Sequence, residues 1–281
     1  MATKRVLVTG GGSFLGENIA AALLAEGADV TLLVRPGAEE RLGSLAVRTR
    51  WWTADVWDSA SLKGRARHHD SVVHTVGSMV ADPKKGLSYN VLNFVSARNV
   101  ANMCVGSGVK HMILLSSAGA PWVNAQYLSA KREAETYMNR VGLHASIIRA
   151  PLVFVRGKRR APFYQLISLL GIIPPLSWTT LSRIAPMPVD VLARAVARIT
   201  LADPPAAGQK KIYHARALRR LNTRQELWRP PPMTLDEQDA VNDDTQPSRR
   251  AVDPYQFLDE DTPFGWTPPR QSFDDDTRPK K

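Results

Sequence analysis

Cysteine is almost missing from this sequence: Cys104 is the only one in 281 residues. That excludes a disulfide framework and any metal centre built on clustered thiolates. The six histidines show no ligand spacing, and the adjacent His68-His69 falls in a basic loop, where solvation is the simplest expectation. No metal site is expected. Long apolar runs are lacking too, and none reaches the roughly eighteen residues that a membrane-spanning helix needs. No signal or transit peptide is visible ahead of the first strand, and removal of one before this numbering begins fits the sequence equally well. There are no internal repeats.

Negative charge is scarce over most of the chain. Residues 1–228 hold 30 Lys/Arg against 14 Asp/Glu, whereas residues 229–281 hold seven against twelve. A basic body joined to an acidic segment points to an acidic neighbour such as lipid head groups, RNA or another subunit, or more plainly to a solubilising surface. The length leaves room for one large α/β domain with a full core, plus extensions.

What the sequence does have begins at Arg5–Gly16, RVLVTGGGSFLG. Val6, Leu7 and Val8 form the short apolar run of a strand buried on both faces. Thr9-Gly10-Gly11-Gly12 breaks it, and from Ser13 the apolar residues Leu15, Ile19, Ala22 and Leu23 fall at helical spacing. Strand, glycine turn and helix in that order make a phosphate-binding crossover. The glycines allow tight turning and close approach, and the helix start offers free N–H groups to a pyrophosphate.

Ala28 to Val34 reads as a second strand, and Arg35 follows it where an acid would bind the adenosine ribose hydroxyls. A cation there suits a ribose 2′-phosphate, hence NADP(H), unless Arg35 simply faces solvent. Further strands are expected over Trp51–Val56, Ser71–Val76, Met112–Leu115 and His144–Val155. Helices are expected from Asn93, with Phe94, Ala97, Ala101 and Cys104 on one face, and from near Tyr127, with Ala130, Ala134, Met138 and Val141 inward. Alternating strands and helices predict a doubly wound parallel sheet, a Rossmann-type α/β fold.

The motifs as a set resemble the atypical short-chain dehydrogenase/reductase group over roughly residues 4–215. The glycine turn is similar to its TGxxGxxG, with Ser13 in the middle glycine's place. Asp55 to Asp58 matches its DVxD, VVHTVG at 72–77 its strand ending at the cofactor, and NFVSARNV at 93–100 its NVxGTxNV helix. VKHMILLSS at 109–117 matches the serine-bearing strand, Tyr127 to Lys131 the YxxxK, and MPVDVLARAVA at 187–197 the VxxxDxA helix. The resemblance implies a cofactor-binding set of Gly10, Gly12, Ser13, Phe14, Leu15 and Gly16, with Arg35, Asp55, Val56, Gly77 and Lys131. A Cβ at Ser13 would push a pyrophosphate outward, although its hydroxyl could donate to a phosphate.

In that family the tyrosine is the acid/base for carbonyl reduction, the lysine lowers its pKa and holds the nicotinamide ribose, and a serine polarises the carbonyl. Carried over, these are Tyr127, Lys131 and Ser117, or Ser116 in place of Ser117. A spacing of four puts Tyr127 and Lys131 on one helix face. Tyr127 follows only ten positions after Ser117, with Pro121 and Trp122 in between. Two readings stay open: NADPH-dependent catalysis, or a site kept for holding cofactor.

GIIPPLSW at 171–178 and ADPPAAGQKKIYHA at 202–215, with the Tyr127–Glu135 run, resemble the nucleotide-binding accessory subunit of mitochondrial respiratory complex I. They also resemble the reductase-like protein associated with ubiquinone synthesis. This implies an NADP(H)-holding subunit on the matrix side of the inner membrane, or a reductase of a quinone-like or isoprenoid carbonyl. Some plastid relatives bind RNA, so RNA is a third candidate partner. Residues 156–181, basic and then apolar, would suit an anionic membrane surface or pack as a lobe helix. The expected division is a Rossmann core over 1–157, a small C-terminal lobe over 158–228 that returns to the core, and an extended acidic, proline-rich tail over 229–281. That tail carries nine of the twenty prolines and spaced aromatics such as Tyr255 and Trp266, which suits docking on neighbouring subunits.

Overall fold

The computed structural model describes residues 3–120, 123–155, 185–206 and 208–222. Strand β1 (Arg5–Gly11) is the axis of the molecule, and Val6, Leu7 and Val8 are fully buried in it. Alternation divides them: Val6 and Val8 join one apolar cluster and Leu7 the other, as a strand covered on both faces requires.

Helix α1 (Phe14–Ala25) follows, then β2 (Asp29–Val34), a short helix α2 (Leu45–Arg48) and β3 (Arg50–Thr53). Strand β4 (Ser71–His74) leads through a π-helical turn at Asn90–Val95 into α3 (Ser96–Gly106). After it come β5 (His111–Ser117), α4 (Ala125–Arg140) and β6 (His144–Ala150). The two-residue strands β7 (Val153–Phe154) and β8 (Met187–Pro188) pair with each other. Helix α5 (Val189–Leu201), β9 (Lys210–His214) and α6 (Ala215–Arg220) complete the described chain.

Seven parallel strands form one sheet in the order β3-β2-β1-β4-β5-β6-β9. One face is covered by α1, α5 and α6 through Ile19, Leu23, Leu192, Val196 and Leu218. The other is covered by α3 and α4 through Ala97, Val100, Ala134 and Met138. The chain runs outward in both directions from β1 and β4, so their C-terminal ends flank the crevice where parallel α/β sheets take ligands.

The doubly wound parallel sheet is therefore as the sequence predicts, with β3, β4 and β6 ending earlier than expected and β5 running longer. Strand β3 stops at Thr53 rather than Val56, because Asp55 folds its carboxylate back onto the Trp57 N–H at 2.8 Å and turns the chain. Strand β4 stops at His74 rather than Val76, where the Thr75 hydroxyl donates to the Thr9 carbonyl at 2.6 Å. Strand β6 ends at Ala150 because Pro151 has no N–H for a ladder. His69 is half-buried rather than simply solvated, standing edge-on to Trp52 at 5.8 Å.

Of the expected small lobe, residues 185–206 and 208–222 belong to the core itself: α5 packs on α1, and β9 is the sheet's seventh strand. The membrane-surface stretch 156–181 and the tail 229–281 lie outside the described residues. Among the described residues no helix is long and apolar enough to cross a membrane.

Candidate active site

The glycine turn is built by close approach. Gly10 and Gly12 have φ of +84° and +78°, a backbone region that side chains rarely tolerate. A Cβ on Gly16 would collide with the Gly10 carbonyl, so only glycine lets α1 start this close to the turn. Ser13 is the helix N-cap: its hydroxyl accepts from the Gly16 N–H at 3.2 Å and donates to the Gly10 carbonyl at 2.6 Å. The proton that could have gone to a phosphate is thus spent within the turn, and the serine works as a cap. Phe14 is half-buried at the start of α1, and Leu15 reaches the cleft described below.

Next to the turn, a Cβ on Gly12 would stand 3.3 Å from that of Arg41. Arg35 is half-buried past the end of β2. Burial lowers its pKa, the like charge of Arg41 lowers it further, and Asp55 opposes both. Glu17, in the first turn of α1, is pushed up to about 7 by burial, with Arg41 pulling it back. Two arginines and two carboxylates thus gather where the adenosine end of a dinucleotide would lie. Sequence reasoning named Arg35 and Asp55 here but missed Arg41 and Glu17. Val56 is fully buried and contributes its carbonyl, which accepts from Asn99 at 3.1 Å.

Across the crevice, Gly77 follows β4 and Lys131 comes in from α4. Lys131 is 4 % exposed, and its ammonium donates to the Leu115 carbonyl at 3.1 Å. A Cβ on Gly77 would lie 2.6 Å from Lys131 Nζ and 2.5 Å from Asn93 Oδ1. Asn93, on the π-helical turn, holds this loop in place. Its Oδ1 accepts from the Ser78 N–H at 3.1 Å, and its amide donates to the carbonyls of Ser78 and Tyr89 at 2.9 and 3.1 Å.

Tyr127, one turn before Lys131, shares its side of α4; the ammonium stands 6.0 Å from the ring centroid. Burial raises the phenol to about 12, against the lowering effects of the Ser117 hydroxyl and Arg132. Lys131 is lowered to about 8 by burial, with the Glu135 carboxylate opposing. At neutral pH Tyr127 therefore keeps its proton and Lys131 its charge. Ser117 lies at the end of β5 with its hydroxyl on the Ala118 carbonyl at 3.1 Å. Ser116 faces away, its hydroxyl donating to Glu135 at 2.7 Å. Of the two candidate serines, Ser117 is the one with its hydroxyl beside the phenol.

Ser117, Tyr127 and Lys131 meet in a cleft that opens to solvent, its walls supplied by Leu15, Met79 and Leu152 among others. Glycine turn, cleft and helix dipole all sit at the C-terminal ends of β1, β4 and β5, the arrangement that holds a dinucleotide with its reactive end at the tyrosine. The bare glycines at 10, 12, 16 and 77 fit that group, since each leaves space or backbone geometry that a side chain would remove. Among the described residues no cluster of three or more His, Cys, Asp or Glu could hold a metal.

Residues 10–160 match the family model described as NAD(P)H-binding. The chain is 26% identical over 194 residues to a ceramide reductase of Caulobacter vibrioides, covering 68% of this chain and 60% of that protein. It is 29% identical over 116 residues to the human sterol-4-alpha-carboxylate 3-dehydrogenase, decarboxylating, covering 41% of this chain and 29% of that protein. The match thus spans less than two thirds of either relative. Among solved structures it resembles the Bordetella bronchiseptica enzyme WbmH in complex with NAD+, with a TM-score of 0.55, 20% identity, and coverage of 76% and 75% of the two chains. It also resembles a wide-type short-chain dehydrogenase/reductase of Veillonella parvula in complex with NADP, with a TM-score of 0.53, 14% identity, and coverage of 75% and 94%. With the glycine turn, the parallel sheet and the family match in register, the chain belongs to the NAD(P)H-binding family, on a fold of the short-chain dehydrogenase and epimerase type.

Proposed function

We propose that the chain is an NADPH-dependent oxidoreductase that reduces a carbonyl on an apolar, lipid-like molecule such as a quinone or isoprenoid. One observation carries the reading: Ser117, Tyr127 and Lys131 converge in a cleft whose lining, among the described residues, holds no charge except Lys131. Such a wall, mostly apolar with a few hydroxyls at the reacting end, suits an apolar substrate body around a single carbonyl. The names of the two curated relatives, a ceramide reductase and a sterol carboxylate dehydrogenase, support a lipid-like substrate.

The bound nicotinamide would supply the hydride; the chain supplies everything around it. Ser117 holds the carbonyl oxygen by hydrogen bond. The Tyr127 phenol, protonated well past neutrality, donates the proton to that oxygen as negative charge develops. Lys131 beside it stabilises the phenolate left behind. The test is consumption of NADPH with a panel of lipid carbonyls. Tyr127→Phe is expected to abolish turnover while leaving nucleotide affinity within about twofold. Absence of turnover across the panel would retire the reading.

A second reading has the chain hold NADP(H) as an accessory subunit of a mitochondrial membrane complex. The acidic, aromatic-bearing sequence of 229–281 and the basic-apolar sequence of 156–181 favour it. Sizing of the native protein decides between the two, since a free monomer is incompatible with a subunit.

A further inference from the structure

Glu135 is a carboxylate in a place where carboxylates are rare. It is 1% exposed, on the inner face of α4 exactly one turn beyond Lys131. Burial alone would raise its pKa, but Arg149, Ser116 and Arg132 together hold it below the usual carboxylate range, so it is ionised. Three elements converge on it. From β6, Arg149 donates to its two oxygens at 3.1 and 2.6 Å. From β5, the Ser116 hydroxyl donates at 2.7 Å. From α4 itself, Arg132 forms an ion pair with it and also donates to the Ser116 hydroxyl at 3.0 Å and the Ser117 carbonyl at 2.8 Å.

The network therefore ends at the backbone of Ser117 on one side and beside Lys131 on the other. The other groups facing Lys131 are Tyr127 on its own helix, neutral His74 on β4, Asn93 on the π-helical turn and the Leu115 carbonyl on β5. None of these is an anion. Glu135, buried four residues further along the same helix, is the carboxylate that opposes the loss of charge at Lys131.

We propose that Glu135 is the positioning residue of this site: it keeps Lys131 charged inside an apolar wall and, through Arg132 and Ser116, fixes where Ser117 stands relative to Tyr127. A buried ammonium without a counter-charge releases its proton, and a neutral Lys131 could no longer stabilise a phenolate. The two arginines serve to keep Glu135 itself ionised. The catalytic consequence rests on the oxidoreductase reading, but the charge on Lys131 can be read without substrate or nucleotide.

The experiment is a titration of the full, nucleotide-free chain carrying 13C at lysine Cε, with the Lys131 resonance assigned through Lys131→Arg. The wild-type midpoint is expected near 8. Glu135→Gln keeps the shape and loses the charge, and should lower that midpoint by about one pH unit. Glu135→Asp keeps the charge and should stay near the wild type. An unchanged midpoint in Glu135→Gln overturns the proposal. Should that variant fail to fold, Glu135→Gln/Arg149→Met removes the carboxylate together with the cation it would leave unpaired; its Lys131 midpoint should lie below that of Arg149→Met alone, in which Arg132 still pairs with the carboxylate, and equal midpoints overturn the proposal. A wild type that titrates as expected but turns over no substrate would count against the oxidoreductase reading and leave this one standing.

Discussion

The Lys131 ammonium occupies the space that a side chain on Gly77 would need: a Cβ there would come within 2.6 Å of Nζ, and within 2.5 Å of Asn93 Oδ1. The ammonium that α4 carries at Lys131 thus reaches the nucleotide crevice only because Gly77, just past β4, has no side chain. Gly77→Ala should push Lys131 off the Leu115 carbonyl and split the Asn93–Ser78 pair. Overpacking of this kind costs about 1–3 kcal/mol. The expected result is a lowered melting temperature together with nucleotide binding weakened by about tenfold or more, measured by calorimetry and fluorescence titration.

Ser13 has a different prediction from the one its motif position suggests. Because its hydroxyl caps α1 and ties down the Gly10 carbonyl, Ser13→Ala should destabilise the fold by about 1 kcal/mol. Ser13→Gly should cost only a few tenths while clearing the Cβ from the phosphate path, and so tighten nucleotide binding. Chemical denaturation and nucleotide titration of both variants check this. Equal stability of Ser13→Ala and wild type would show that the cap contributes nothing.

Much of this was legible in sequence because it is local. The β1–turn–α1 unit, the inward face of α4 at Ala130, Ala134 and Met138, and the Tyr127–Lys131 pair are all fixed by short spacings. The parts that sequence reasoning missed are made by distant contacts. Arg41 meets Gly12 only because the 3-10 turn at Glu39–Leu42 folds back over the glycine turn. Glu135 carries a hint, sitting four residues past Lys131 on the same face, but its partners Ser116 and Arg149 lie on two other strands. The choice of Ser117 over Ser116 depends on the same pairing, which no local pattern contains. Strand ends were misjudged where a side chain intercepts the ladder, as the Asp55 carboxylate does beyond β3.

Glu17 gives a pH-dependent prediction. Its carboxyl is raised from 4.5 to about 7 in the folded protein, chiefly by burial. The folded state therefore holds a proton that the unfolded state has released, and stability falls as pH rises from the unfolded value through the folded one. Glu17→Gln removes that dependence. It should stabilise the protein near pH 8 by about 1 kcal/mol, a figure discounted for the side chain's partial exposure, and have no effect near pH 4. Melting temperatures across that range are the measurement, and a gap that does not close on acidification would refute the assignment.

Arg35 and Arg41 carry the prediction about cofactor choice. They face each other and Asp55 beside the glycine turn, where the 2′-position of an adenosine ribose would lie on a nucleotide held at that turn. Two like charges half-removed from water repel each other, and a phosphate dianion between them relieves that repulsion while accepting charge-assisted hydrogen bonds. A bond of that kind is worth about 1.5–3 kcal/mol, or about 10- to 100-fold in affinity. Arg35→Asp should therefore weaken NADPH by about that factor, leave NADH equal or tighter, and so reverse the preference. Arg41→Ala should weaken NADPH less and NADH hardly at all. Because the interaction is ionic and partly exposed, the wild-type preference for NADPH should also shrink as salt is raised. Titration of both nucleotides against wild type and the two variants tests all three statements. Unchanged affinity for NADPH in Arg35→Asp would place the 2′-phosphate elsewhere and leave Arg35 as a loop residue paired with Asp55.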